Sequence, residues 1–218
     1  MHPVTATEPR RIRGVVFDMD GTLVAQAIDF DAIRRELGLP FGTPLLEAMD
    51  RLPAADRAAA WAVLDRHEQA AVAAAAVLPG VLDFLAWLDA RGAKRAVLTR
   101  NSRSVAEAVL GRCGLLTFDP IVTRDDAPFK PQPEGLWRIC KAWGVAPTEV
   151  LMLGDYVYDI QVGRNAGART ALLTHGLDWP FAAEAEFAFS SFTEAMAHLA
   201  TVFCPEGAPQ DSPGQRPG

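Results

Sequence analysis

Asp18-Met19-Asp20-Gly21-Thr22-Leu23 follows directly on the largely apolar run Ile12 to Phe17. The β-branched and aromatic run Val15-Val16-Phe17 has the composition of a strand buried on both faces, as in parallel α/β sheets. Ligands in such open sheets bind beyond the carboxyl ends of the strands. Asp18 and Asp20, two residues apart, can point the same way from that end. Gly21 permits the turn that follows, and Thr22 offers a hydroxyl where the backbone changes direction. The competing reading is a simple polar Asp-Gly turn after a strand. The rest of the chain decides between them.

Working outward, residues 25–78 interrupt any strand–helix alternation with three helical segments. Asp29 to Leu37 is ended by Gly38 and Pro40. Thr43 to Leu52 has Thr43 as its cap and Pro44 in its first turn. Asp56 to Ala76 is long and alanine-rich. From Pro79-Gly80 the α/β rhythm resumes with a helix Val81 to Arg91 ended by Gly92, a strand Arg95 to Thr99 and a helix Ser102 to Arg112 capped by Asn101 or Ser102. A short strand Ile121-Val122, a helix Pro133 to Trp143 stopped by Gly144, a strand Val150 to Leu153 and a helix Tyr158 to Asn165 come next. Strands Thr170 to Leu173 and Phe187 to Phe189 and a helix Thr193 to Thr201 complete the pattern. The alternation predicts a Rossmann-like parallel sheet sandwiched by helices, with a small all-helical cap domain inserted after the first strand. The domains are then a core of residues 12–24 and 79–202, a cap of 25–78, and a disordered tail of 205–218 rich in Pro, Gly, Gln, Asp and Ser.

The 218 residues carry a net charge of -6, and half of them are apolar. A core is affordable, and a nucleic-acid binder, which needs a basic face, is disfavoured. Residues 1–11 hold no apolar core of the roughly 7–15 residues that a secretory signal needs, and no stretch reaches the roughly 18 apolar residues of a membrane helix. These features predict a cytoplasmic protein with no membrane partner, as a monomer or homodimer. The three cysteines, Cys113, Cys140 and Cys204, have neither metal-like spacing nor an even count.

Four motifs follow in order, each at a strand end or helix start. They are Asp18 to Leu23; Thr99 in Val97-Leu98-Thr99-Arg100-Asn101; Lys130 in Lys130-Pro131-Gln132-Pro133; and Gly154-Asp155-Tyr156-Val157-Tyr158-Asp159. Lysine occurs only three times in the chain, so its fall on the third motif is informative. Over residues 12–202 this set resembles the haloacid dehalogenase superfamily of hydrolases, in particular its phosphoglycolate phosphatase-like members with a helical cap between the first and second motifs. The chain departs from the family pattern at Tyr156, where Ser or Thr is common, and at Phe129, where Gly often precedes the lysine. Its cap also looks shorter than that of phosphoglycolate phosphatase or β-phosphoglucomutase.

The resemblance implies a phosphatase acting on a small phosphorylated metabolite, phosphoglycolate- or sugar-phosphate-like, through an aspartyl-phosphate intermediate. Asp18 is the implied nucleophile and Asp20 the acid and base, with Lys130 as the third catalytic group. Thr99, Arg100 and Asn101 would hold the substrate phosphate. Asp18, Asp155 and the main-chain carbonyl of Asp20 would bind Mg2+, with Asp159 in support. The chemistry agrees: like charges about 4 Å apart repel by about 4 kcal/mol at an effective dielectric of about 20, so clustered carboxylates facing a phosphate call for a hard divalent cation and a lysine. A phosphomutase, or a catalytically idle binding protein on the same fold, remains the alternative. Arg34, Arg35 and Arg66 are candidate readers of a substrate carboxylate or phosphate. His67, His175 and Cys113 read as packing or surface residues without a partner.

Overall fold

The computed structural model describes residues 11–25 and 27–203 of the chain. Strand β1 (Gly14–Phe17) is buried at all four positions. Its side chains alternate between two apolar clusters, Val15 and Phe17 joining Phe84, Leu110 and Leu153 on one face, and Val16 joining Leu136, Ile139 and Met152 on the other. A strand with helices over both faces must be apolar throughout, which is why its sequence shows no alternation. The fold is thus the expected Rossmann-like sheet between helices.

Between β1 and the second strand lie helices α1 (Phe30–Glu36), α2 (Leu45–Asp50), α3 (Ala54–Val72) and α4 (Val81–Asp89). Then follow β2 (Lys94–Leu98), α5 (Arg103–Arg112), β3 (Ile121–Val122), α6 (Glu134–Trp143) and β4 (Val150–Gly154). Helix α7 (Val157–Ala166), β5 (Arg169–Leu173), β6 (Phe187–Phe189) and α8 (Phe192–Leu199) close the described chain. The six strands pair in parallel in the order β3-β2-β1-β4-β5-β6. The chain therefore runs outward one way from β1 to β3 and then crosses back to β4, so the carboxyl ends of β1 and β4 flank the crevice where the winding reverses. Ligands bind at that crevice in sheets of this kind.

Helices α1, α2 and α3 pack on one another around their own apolar cluster of Ile33, Leu45, Leu46, Met49, Ala60 and Leu64. Asp29 caps α1 by accepting the N–H groups of Asp31 and Ala32 at 3.0 and 2.9 Å. One expected cap is corrected and another is borne out only in position. Pro44, with ψ at 110°, occupies the cap position of α2, so the helix starts at Leu45 and Thr43 lies outside it. Ser102 holds the cap position of α5, as expected, but its hydroxyl accepts no helix N–H; Asp125 reaches across to accept the Arg103 N–H at 2.8 Å. The long third helix also ends at Val72, short of Ala76. The expected disordered tail and Cys204 lie outside the described residues. Among those residues no helix is long and apolar enough to cross a membrane.

Candidate active site

Asp18 leaves the end of β1 with its backbone N–H held by the Leu153 carbonyl of β4 at 2.9 Å, an extension of the sheet ladder by one residue. The chain then turns sharply, the N–H groups of Thr22, Leu23 and Val24 all closing on the Met19 carbonyl. Gly21 makes this possible in two ways. Its φ is +78°, and a Cβ placed on it would lie 2.2 Å from Oδ2 of Asp155. Thr22 uses the hydroxyl read from its sequence position, donating to Asp155 Oδ1 at 3.3 Å. His175 holds the same turn: its Nε2 lies 2.6 Å from the Gly21 carbonyl and, since a carbonyl only accepts, must carry the proton. His175 therefore has a partner at the site, and His67 has one in Glu36 at 3.0 Å, contrary to the expectation for both. No signal in the local sequence joins His175 to a glycine 154 positions away.

Lys130, 2% exposed, places Nζ 2.6 Å from Asp18 Oδ1 and 2.7 Å from Asp159 Oδ1. Burial alone would push the ammonium's pKa down, but Asp159 and Asp18 outweigh it and hold the pKa above the usual lysine range. Asp159 spends its other oxygen on the Tyr156 N–H at 3.1 Å, so it braces both the lysine and the start of α7. Gly154 leaves room for it, because a Cβ there would come within 2.1 Å of Asp159 Cγ.

Carboxylate oxygens of Asp18, Asp155 and Asp159 lie within 4.8 Å of one another. Burial, then repulsion by Asp18 and Asp159, pushes Asp155 up to about 8. Burial and Asp18 push Asp159 up to about 6 against the pull of Lys130. Burial is the larger cause of both shifts and the crowding of three carboxylates adds to it; a set of hard oxygen donors so placed suits Mg2+. Asp20 is likewise pushed up to about 7, chiefly by burial and by Asp18, against a hydrogen bond from the Asn101 amide that favours its ionised form.

Thr99 and Asn101 are buried at the tip of β2. Thr99 Oγ1 accepts the Asn101 N–H at 3.1 Å and lies 3.2 Å from the Asn101 amide nitrogen. Asn101 thus orients Asp20. The Arg100 guanidinium turns elsewhere, donating through Nη2 to both oxygens of Glu47 at 2.9 and 2.8 Å and through Nη1 to the Lys130 carbonyl at 2.9 Å. Asp18, Asp20, Thr99, Arg100, Asn101, Lys130, Asp155 and Asp159 line one cavity of about 500 Å3, closed on the far side by α1–α3. Of the three arginines singled out from the sequence, only Arg34 lines it; Arg35 and Arg66 face solvent and pair with Asp29 and Glu36.

Two residues at this junction were missed. Glu47 anchors Arg100, and Glu68, 2% exposed, takes both a 2.5 and a 3.0 Å hydrogen bond from Arg124. Glu68 was detectable: it continues the Ala60, Leu64 stripe at four-residue spacing, and a carboxylate on the buried face of a helix demands a partner. Glu47 carries no such mark.

Nucleophile-capable and acidic carboxylates, a buried lysine and a crevice at the switch point define a hydrolase site on an α/β fold. The family model for haloacid dehalogenase-like hydrolases matches residues 27–167, and the chain belongs to that family. Its relatives include a haloacid dehalogenase-like hydrolase domain-containing protein of Arabidopsis thaliana, 34% identical over 79% of this chain and 75% of that one. Another is the N-acetylmuramic acid 6-phosphate phosphatase of Pseudomonas aeruginosa, 29% identical over 78% of this chain and 85% of that one. Among solved structures, a predicted phosphoglycolate phosphatase of Haemophilus somnus superposes with a TM-score of 0.69 over 86% of this chain and 97% of that one, at 21% identity, which speaks to the fold. Phosphatase is accordingly the class of enzyme to which the chain belongs.

Proposed function

We propose that the protein is a magnesium-dependent phosphatase that hydrolyses a small phosphorylated metabolite in the cytoplasm through an aspartyl phosphate on Asp18. The observation that carries this reading is the division of labour among the carboxylates. Asp18 faces a buried ammonium at 2.6 Å, while Asp20, on the other side of the turn, is pushed up to about 7. A carboxylate hydrogen-bonded to a fixed ammonium is held in place to attack; one with a raised pKa can hold a proton near neutrality and give it up.

In the first step an Asp18 oxygen forms a bond to phosphorus while the bond to the leaving oxygen breaks, and Asp20 gives that oxygen its proton. In the second, Asp20 takes a proton from water, the water oxygen attacks phosphorus, and phosphate leaves with Asp18 regenerated. Lys130 neutralises the oxygens that gain charge, and Asp159 keeps it in place. Thr99 and the backbone at Asn101 shape the phosphate end of the cavity. Asp18, Asp155 and the Asp20 carbonyl are the groups that would hold Mg2+, which supplies charge neutralisation for the phosphate dianion. Helices α1–α3 serve as a cap that excludes water and selects the leaving group.

The test is phosphate release from an aryl phosphate and a metabolite panel, with magnesium or with chelator, for the wild type and Asp18→Asn. Metal-dependent release that disappears in Asp18→Asn is expected. Release that survives in the folded Asp18→Asn protein would overturn the assignment of the nucleophile.

A further inference from the structure

The cavity extends well past the space that a phosphoryl group fills, and its outer wall carries little surplus positive charge. Lys130 is committed to Asp18 and Asp159. The other two cations lining the cavity are both neutralised by acids of the helical unit. Arg34 donates through Nη1 to Asp31 at 2.7 Å and through Nε to the Thr43 carbonyl at 2.8 Å. Arg100 is held by both oxygens of Glu47, with the rings of Tyr158 and Phe129 4.2 and 5.0 Å from its central carbon. Asp29 and Glu68 add negative charge to the same wall, Glu68 being paired with Arg124 behind it. A carboxylate entering here would lose hydration and find no unpaired cation in return.

What the wall does offer is an aromatic face. Tyr156, next in the chain to Asp155, is 45% exposed although it stands at the cavity edge. Tyr158, Trp179 and Phe181 brace it edge-on with ring centroids 5.4, 6.2 and 5.6 Å away. A tyrosine fixed in this way presents a rigid apolar surface with a polar tip, suited to the C–H face and hydroxyls of a sugar ring. Its position is also where the chain departs from the Ser or Thr common in the fourth motif. A two-carbon alcohol would leave most of a cavity of about 500 Å3 to water.

Building on the phosphatase reading above, we propose that the leaving group is an uncharged, ring-sized polyol held against Tyr156, and not a short carboxylate-bearing alcohol. Glu47 is then a specificity residue: by neutralising Arg100 it withholds the cation that a carboxylate would need.

The experiment measures kcat/KM for the wild type, Tyr156→Ala and Glu47→Gln on a hexose 6-phosphate, phosphoglycolate and an aryl phosphate. The wild type is expected to favour the hexose phosphate over phosphoglycolate by about tenfold or more, a ratio typical of one polar or packing contact. Tyr156→Ala is expected to lose about tenfold on the hexose phosphate, mostly through KM, and little on phosphoglycolate. Glu47→Gln should shift the ratio toward phosphoglycolate by about fivefold or more, whereas a merely structural role would lower all three rates together. A wild type that prefers phosphoglycolate, or two variants that leave the ratio unchanged, would overturn the proposal while the phosphatase reading stands. Failure to hydrolyse any of the three esters would sink both.

Discussion

Lys130→Met keeps most of the buried stem and removes the charge, so it isolates the electrostatics of the site. The ammonium lies 2.6 Å from Asp18 and 2.7 Å from Asp159, with 2% of the Lys130 and 1% of the Asp159 side chain exposed. Each contact amounts to about 6 kcal/mol gross at an effective dielectric of about 20. Most of that does not appear as lost stability, because a buried carboxylate deprived of its partner takes up a proton instead. The expected net loss is about 3–5 kcal/mol, a large share of the ~5–15 kcal/mol that holds a typical domain together. The loss should also depend on pH with a definite sign. Asp159 is already pushed from 3.8 up to about 6 by burial and Asp18, against the pull of the lysine. Without the lysine it rises further. An acid whose folded pKa exceeds its unfolded value weakens the fold above the folded pKa, and the deficit shrinks as pH falls through that value. Urea unfolding in the presence of chelator at pH about 8 and about 5 measures this for the wild type, Lys130→Met, Asp159→Asn and the double variant. Adding Asp159→Asn to Lys130→Met should restore about 2 kcal/mol at the higher pH, since it removes the orphaned charge. A double variant no more stable than Lys130→Met, together with a deficit that ignores pH, would refute the argument that Lys130 is retained to neutralise Asp159.

Two further outcomes follow from the site. In the proposed mechanism Asp20 carries a proton when the ester binds, and it is pushed up to about 7, so kcat/KM should fall as pH rises through about 7, or somewhat lower with the cation bound; Asp20→Asn should flatten that limb at a rate reduced by about 10²–10⁴. A pH profile that keeps its basic limb in Asp20→Asn would remove Asp20 from the acid role. Gly21→Ala combines a φ of +78° with a Cβ 2.2 Å from Asp155 Oδ2, so it should strain the turn by about 1–2 kcal/mol and displace Asp155. The readouts are a lower Tm and a higher magnesium concentration for half-maximal activity, and wild-type values for both would contradict the close approach.

Much of this molecule was legible in the sequence, because its strongest signals are local. An apolar run at β1 has no other use than a strand covered on both faces. Gly21, Gly144 and Thr22 stand where the backbone turns or ends, Asp18, Thr99 and Asp155 each follow the last residue of a strand, and Lys130 lies in the turn that leads into α6. The rare lysine was informative for the same reason, since composition made chance placement improbable. Element ends were less legible: Ser102 holds the cap position of α5, but the hydrogen bond to its first N–H comes from Asp125, in a loop 22 residues away.

The amino-acid sequence by itself determined the parallel sheet, the helical insertion and the carboxylates that gather at the strand ends, because hydrophobic periodicity and turn chemistry act between near neighbours. Tertiary structure alone decided which charges meet. It turned the Arg100 side chain from the phosphate end toward Glu47, drew His175 to the Gly21 carbonyl, buried Glu68 against Arg124 and set Tyr156 at the cavity edge. Each of those contacts joins residues tens of positions or more apart or depends on how the helices α1–α3 lie against the sheet. Pairing across such distances is set by packing geometry, which no local pattern encodes.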